Sequence, residues 1–82
     1  MYLAKIKVST KEAILDPQGK AVGHALASLG MAGVVDVRIG KYIELKIDAG
    51  SAPAAEGVTE EACRKLLANP VMENYSFSVE KI

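Results

Sequence analysis

The run Asp16-Pro17-Gln18-Gly19-Lys20 is where this sequence comes nearest to chemistry. At the start of a helix it offers unpaired backbone amides, a glycine with no side chain and a lysine, the ingredients of an anion site. Ordinary capping explains the same residues, since Asp16 satisfies free amides and Pro17 suits the first helical turn. Neither glycine-rich phosphate fingerprint is matched: no second glycine gives the dinucleotide spacing, and no Gly-Lys-Ser/Thr follows a long loop. His24 and Cys63 each stand alone as the single residue of their type. His24 lies roughly 200° around the helix from Val22, at about 100° per residue, and so reads as a solvated or interface histidine. Cys63 falls on an apolar helix face with no histidine predicted beside it; lacking an activating base, it reads as a buried thiol. A single cysteine also excludes an intrachain disulfide and a Cys-x-x-Cys metal site. The carboxylates are scattered singly over polar faces, so no pair with a general-acid role can be named. No catalytic, cofactor-binding or metal-binding residue is expected.

Composition narrows the function classes further. The chain has 82 residues, with ten basic and ten acidic side chains and no net charge. No block of like charge appears, which argues against a phosphate backbone or an anionic membrane as partner. "GKYIEL" offers only Tyr42 where an RNA-recognition sheet carries several aromatics, so nucleic acid is not expected. With one Phe, three Tyr and no Trp, the core must be built from aliphatic side chains that bury less area each. One thin core is the expectation at this length, and help from a partner is plausible. The start "MYLAKIKV" alternates charged and apolar residues, unlike a signal peptide, and no run approaches membrane-spanning length. The expected compartment is the cytoplasm.

These few groups must be positioned by strands and helices. Tyr2, Ala4, Ile6 and Val8 alternate with Lys5, Lys7 and Ser9, the pattern of a half-buried strand. Asp16 to Gly30 predicts a helix whose Val22, Ala25, Leu26 and Leu29 form a core-facing stripe. "VVDVRIGKYIELKID" predicts a hairpin, and parity chooses its register. A two-residue turn at Gly40-Lys41 would set apolar against charged faces. A three-residue loop of Gly40, Lys41 and Tyr42 instead pairs Ile39 with Ile43, Val37 with Leu45 and Val35 with Ile47. The other face then sets Arg38 opposite Glu44 and Asp36 opposite Lys46. A second helix is capped near Ser51, carries Pro53 in its first turn and stops around Asn69-Pro70, with Ala55, Val58, Ala62, Cys63 and Leu66 buried. Tyr75, Phe77 and Val79 mark a last strand. The order β-α-β-β-α-β is the ferredoxin-like plan of the α+β class, an antiparallel sheet of order 4-1-3-2 with two helices on one face. Its bare face would show Lys5, Lys7, Asp36, Arg38, Glu44, Lys46, Ser76, Ser78 and Glu80. Exposed edges and this face make oligomerisation the economical inference.

Three stretches, "ILDPQGKAV", "VRIGKYIEL" and "LLANPVMENY", together resemble the PurS subunits of phosphoribosylformylglycinamidine (FGAM) synthase. The resemblance covers nearly the whole chain, in matching order and spacing, and departs in the alanine- and glycine-rich "DAGSAPAAEG". It implies one PurS-like domain over residues 1–82 and a noncatalytic subunit of a ligase complex in de novo purine (IMP) biosynthesis. The implied role is to bring an ATP-dependent synthetase subunit and a glutaminase subunit together, so that ammonia from glutamine reaches formylglycinamide ribonucleotide. The implied partners are those two subunits and the chain itself, as a homodimer or tetramer. ATP and magnesium would be used by the complex, with no cofactor bound by this chain. The expected partner-facing residues are Asp16, Pro17, Gln18, Gly19 and Lys20 at the helix start, and Arg38, Gly40, Lys41 and Tyr42 at the hairpin tip. The rival is an amino-acid-binding regulatory module of the ACT type, which shares the element order and which "LDPQG" resembles weakly.

Overall fold

The computed structural model describes residues 1–82. Three strands, β1 (Tyr2–Thr10), β2 (Gly40–Ile47) and β3 (Glu73–Lys81), form one antiparallel sheet of order β2-β1-β3. Helix α1 (Pro17–Ser28) joins β1 to β2, and α2 (Ala52–Ala62), extended by a wider π turn over Cys63–Leu67, joins β2 to β3. The α+β class, with an antiparallel sheet and two helices, is as expected from the sequence. The sheet has three strands where four were expected, and the three present keep their expected order around the central β1.

The alternation of β1 makes it the centre. Ala4, Ile6 and Val8 point to one face and are buried, the first two flanked by apolar side chains from both neighbours. Ile6 stands between Ile43 and Phe77, and Ala4 between Leu45 and Val79. Helix α2 lies over this face, sealing Ile6 and Val8 with Cys63 and Ala68, and Ala4 and Ile47 with Ala55. Its buried stripe is Ala55, Thr59 and Cys63, with Val58 and Leu66 exposed, a shift from the face expected. Thr59 tolerates burial because its hydroxyl donates to the Ala55 carbonyl at 2.8 Å. Ser51 caps this helix by accepting from the Ala54 amide, as expected. On the opposite face Lys5, Lys7, Glu44, Lys46, Ser76, Ser78 and Glu80 share one side by register, and Lys5 pairs diagonally with Glu80 at 3.0 Å.

The expected hairpin does not close. Residues 34–39 belong to no strand and run without turn or bend straight into β2. Gly40, Lys41 and Tyr42 are strand residues paired with Ser9, Val8 and Lys7, not a loop. Ile43, Leu45 and Ile47 therefore take Ile6, Ala4 and Tyr2 as their partners. Gly40 is required here by close approach: a Cβ at this position would overlap the carbonyl oxygen of Val8. Helix α1 is not laid on the sheet; Gly19 is its one buried residue, and Leu29 of its apolar stripe is 73% exposed. The protomer is consequently drawn out to 51 × 27 × 14 Å, with a radius of gyration of 16.2 Å. A compact chain of this length would have a radius of about 12 Å.

Replacing Ile6 with Ala removes the side chain at the middle of the only sheet–helix core. The expected cost is about 2–5 kcal/mol in urea unfolding at fixed protein concentration; a loss under about 1 kcal/mol would mean that stability resides elsewhere.

Candidate protein-docking site

The two stretches expected to face partners lie against each other, although seventeen residues separate them. Asp16 joins them. One carboxylate oxygen accepts from the Gly19 amide at 2.9 Å, capping α1, and the other accepts from the Ile39 amide at 2.8 Å. These two bonds, Gly19 first, hold the Asp16 carboxyl below its usual range, with a smaller contribution from the Arg38 charge and against a desolvation penalty. Gly19 has a second reason to be glycine: a Cβ there would overlap the Val37 carbonyl oxygen and crowd Asp16.

Arg38 reinforces the junction, donating to the carbonyls of Glu12 at 2.9 Å and Ile14 at 3.2 Å. Lys41 donates to the Leu67 carbonyl at 3.0 Å, at the end of the π turn, and lies 3.9 Å from the Glu73 carboxylate. Tyr42 sits on the polar sheet face, where its hydroxyl donates to Glu44 at 2.9 Å; that bond raises its pKa. Pro17, Gln18 and Lys20 are exposed. A groove of about 670 Å³ opens between α1 and residues 34–38, with Lys20 and His24 on one wall. A second, of about 450 Å³, lies between Pro17-Gln18 and Ile39-Gly40-Lys41. Eight of the nine expected residues thus border this junction, and Tyr42 lies apart.

Several groups escaped sequence reading. The Glu12, Ile14 and Leu67 carbonyls that anchor Arg38 and Lys41 have no signature in a sequence, because any residue supplies a carbonyl. Glu73 lies ahead of the last strand expected from Tyr75; it accepts from the Asn69 amide at 2.9 Å and tightens the turn after α2. Away from the junction, Cys63 is buried as expected, and burial pushes its pKa up, so it is a protonated thiol near neutrality. Glu60 points to the Tyr75 hydroxyl, whose pKa that bond raises. Lys65 pairs with Glu61 on the solvated side of the helix. No group of three or more His, Cys, Asp or Glu side chains is placed to hold a metal ion, and no helix is long and apolar enough to cross a membrane.

Fold and site together define a small α+β protein in which one helix covers a sheet and the other is clamped by a carboxylate to a projecting arm. Residues 3–81 match the family model described as "PurS: Phosphoribosylformylglycinamidine (FGAM) synthase". The chain belongs to the PurS family. It is 50% identical over 82 residues to the phosphoribosylformylglycinamidine synthase subunit PurS of Bacillus subtilis, covering 100% of this chain and 96% of that one. The corresponding subunit of Methanocaldococcus jannaschii is 37% identical over 82 residues, covering 100% and 99%. Among solved structures, PurS of Bacillus subtilis superposes with a TM-score of 0.89 at 52% identity, covering 99% of this chain and 100% of that chain. A structure of PurLQS from Thermotoga maritima contains a chain with a TM-score of 0.88 at 29% identity, covering 96% of each. This match does not favour the ACT-type alternative.

Because the folded-state pKa of Asp16 is depressed, its contribution is present above the ordinary carboxylate range and is lost as pH falls through the folded value. On acidification, hydrogen exchange at the Gly19 and Ile39 amides should accelerate together as the Asp16 carboxyl protonates, with an NMR midpoint below the ordinary carboxylate range. Asp16→Asn should remove that shared step. Independent acid transitions for the two amides would show that they are not held by one carboxylate.

Proposed function

We propose that residues 1–82 act as one PurS-like domain and serve as the noncatalytic small subunit of phosphoribosylformylglycinamidine synthase in de novo purine synthesis. The observation that carries this reading is a likeness spanning the chain from end to end, including 96% of it against a chain of the assembly called PurLQS. In this role the chain associates with itself, with an ATP-dependent synthetase subunit and with a glutaminase subunit. Ammonia released from glutamine then meets formylglycinamide ribonucleotide without first equilibrating with solvent. ATP and magnesium belong to the complex, and the assembly works in the cytoplasm.

The geometry supports a division of labour within the chain. Asp16, Gly19, Arg38, Gly40 and Lys41 shape the junction through bonds and close contacts inside the protomer. Pro17, Gln18 and Lys20 are exposed around it and Tyr42 on the polar sheet face, and these four meet the larger subunits. Charge is a minor part of that recognition, because the surface is balanced and an exposed ion pair is worth only about 0–1 kcal/mol. Shape at the helix start, held by the Asp16 clamp, supplies the rest.

A tagged chain used as bait in native extract with ATP, glutamine and magnesium should recover a large synthetase and a glutaminase; recovery of neither would overturn the assignment. In the reconstituted mixture, Gln18→Ala/Lys20→Glu should lower glutamine-dependent synthesis by about tenfold with unchanged protomer stability, since neither side chain is tied within the chain. Arg38→Ala/Lys41→Ala should weaken assembly as well, with some loss of stability from the freed carbonyls. Full glutamine-dependent activity in both double variants would place the docking surface elsewhere.

A further inference from the structure

The outer edge of β3 is open, and the ends of the β1–β3 ladder show which backbone groups stand on it. The Lys11 amide donates to the Met72 carbonyl at 2.9 Å and the Ile82 amide to the Met1 carbonyl at 3.0 Å, and the register between them runs without a skip. Bonded pairs alternate along an antiparallel ladder. The amides of Asn74, Ser76, Ser78 and Glu80 therefore point into β1, whereas the amides and carbonyls of Tyr75, Phe77, Val79 and Lys81 point away from it. None of these four outward amides has a partner elsewhere in the chain.

Native proteins guard such an edge with a short strand, a proline, a bulge or a covering element. β3 has nine residues and no proline, its register with β1 contains no bulge, and no further strand lies beside it. Charge flanks the edge from above. Glu60 accepts from the Tyr75 hydroxyl, which places this side of α2 over β3. Glu56 stands one turn earlier on the same side; a turn of about 5.4 Å is close to two strand residues, so Glu56 falls beside Phe77. Glu56 is exposed, and neither carboxylate forms an ion pair with a lysine or arginine of this chain.

We propose that an extended segment of one of the larger subunits adds to β3 as a further strand, with basic side chains opposite Tyr75 and Phe77. Its backbone takes up the free amides and carbonyls. Its long side chains lay their aliphatic stems on the two rings and carry their charges to Glu60 and Glu56. A second copy of this chain is a poorer occupant: already joined to its copy at another surface, a chain that also paired β3 with β3 would string dimers into an open-ended sheet. A strand from a different chain closes the edge. β3 lies on the far side of β1 from β2, so a strand added there leaves the helix start and the arm free for the other large subunit. The inference rests on the proposed function, in which this chain meets two larger subunits, and gives one of them a surface of its own.

In the chain alone, hydrogen exchange at the Tyr75, Phe77, Val79 and Lys81 amides should be fast beside that at Asn74, Ser76 and Ser78. Adding the purified synthetase and glutaminase with ATP, glutamine and magnesium should slow those four at least about tenfold, read by NMR after dissociation of the complex. Glu56→Lys should reduce capture of one large subunit by about tenfold at low salt, and the deficit should shrink as salt is raised, with the stability and sedimenting mass of the chain alone unchanged. Recovery of both larger subunits while the four amides exchange as fast as in the free chain would overturn this surface and leave the proposed function standing. Equal capture by wild type and Glu56→Lys would overturn the basic strand. Protection of the four amides in the chain alone, rising with concentration and sedimenting mass, would assign the edge to a second copy and overturn the proposal. Recovery of neither large subunit would overturn the proposed function and this inference with it.

Discussion

One carboxylate decides the shape of this protein. Asp16 caps α1 through Gly19 and at the same time takes the Ile39 amide, so the start of the helix and the start of β2 cannot move apart. With Ile39 held on that side, residues 34–39 continue the line of β2 and do not turn back beside it. The clamp requires a glycine at position 19, because the Val37 carbonyl passes where a side chain would begin. It leaves α1 on the arm and away from the sheet, and from that follow the elongated outline and the unburied apolar stripe of the helix.

Sequence pattern revealed faces better than neighbours. Alternation in Ile43 to Ile47 placed Leu45 with the buried set and Glu44 with the polar set, and the register with β1 agrees. The same alternation in Val34 to Ile39 is indifferent to whether the strand beside it comes from the same chain, and a hairpin was the local solution. What excludes it is a contact twenty-three residues long in sequence, from Asp16 to Ile39, and side-chain periodicity carries no trace of such a contact. The Asp16 cap itself was legible because N-capping is local. At the end of α2 the buried face was displaced by a local change of helical period. Its last turn widens into a π turn, which rotates Leu66 outward and Leu67 toward the core, and a stripe drawn at a uniform helical period cannot follow that rotation.

The distribution of burial has consequences for how such a chain persists. Half of its residues are hydrophobic, yet the buried apolar set is confined to the sheet–α2 body and consists mainly of small side chains. Leu15, Leu29, Met31, Val34 and Val35 are all exposed on or beside the arm. Removing apolar surface from water is the main favourable contribution to folding at about 25 cal/mol per Å², so the arm draws little stability from its own protomer. Its order depends on a few hydrogen bonds and on whatever covers it. Binding to the native form alone adds stability in proportion to the logarithm of partner concentration, and a subunit built in this way is most ordered when assembled.

That dependence suits a subunit whose contribution is placement. A single compact body would present one rigid surface, whereas here the body and the arm, which carries the clamped α1, are separate platforms continuous through β2. The body is rigid because Ile6 and Val8 are closed in on both sides of β1 and from above by α2. The arm is straight because one of its edges is tied to carboxylates. The distance between the platforms is then set by strand geometry, close to 3.4 Å per residue, and varies little with side-chain identity. A spacing fixed in this way by the backbone survives substitution at the surface better than one fixed by a loop.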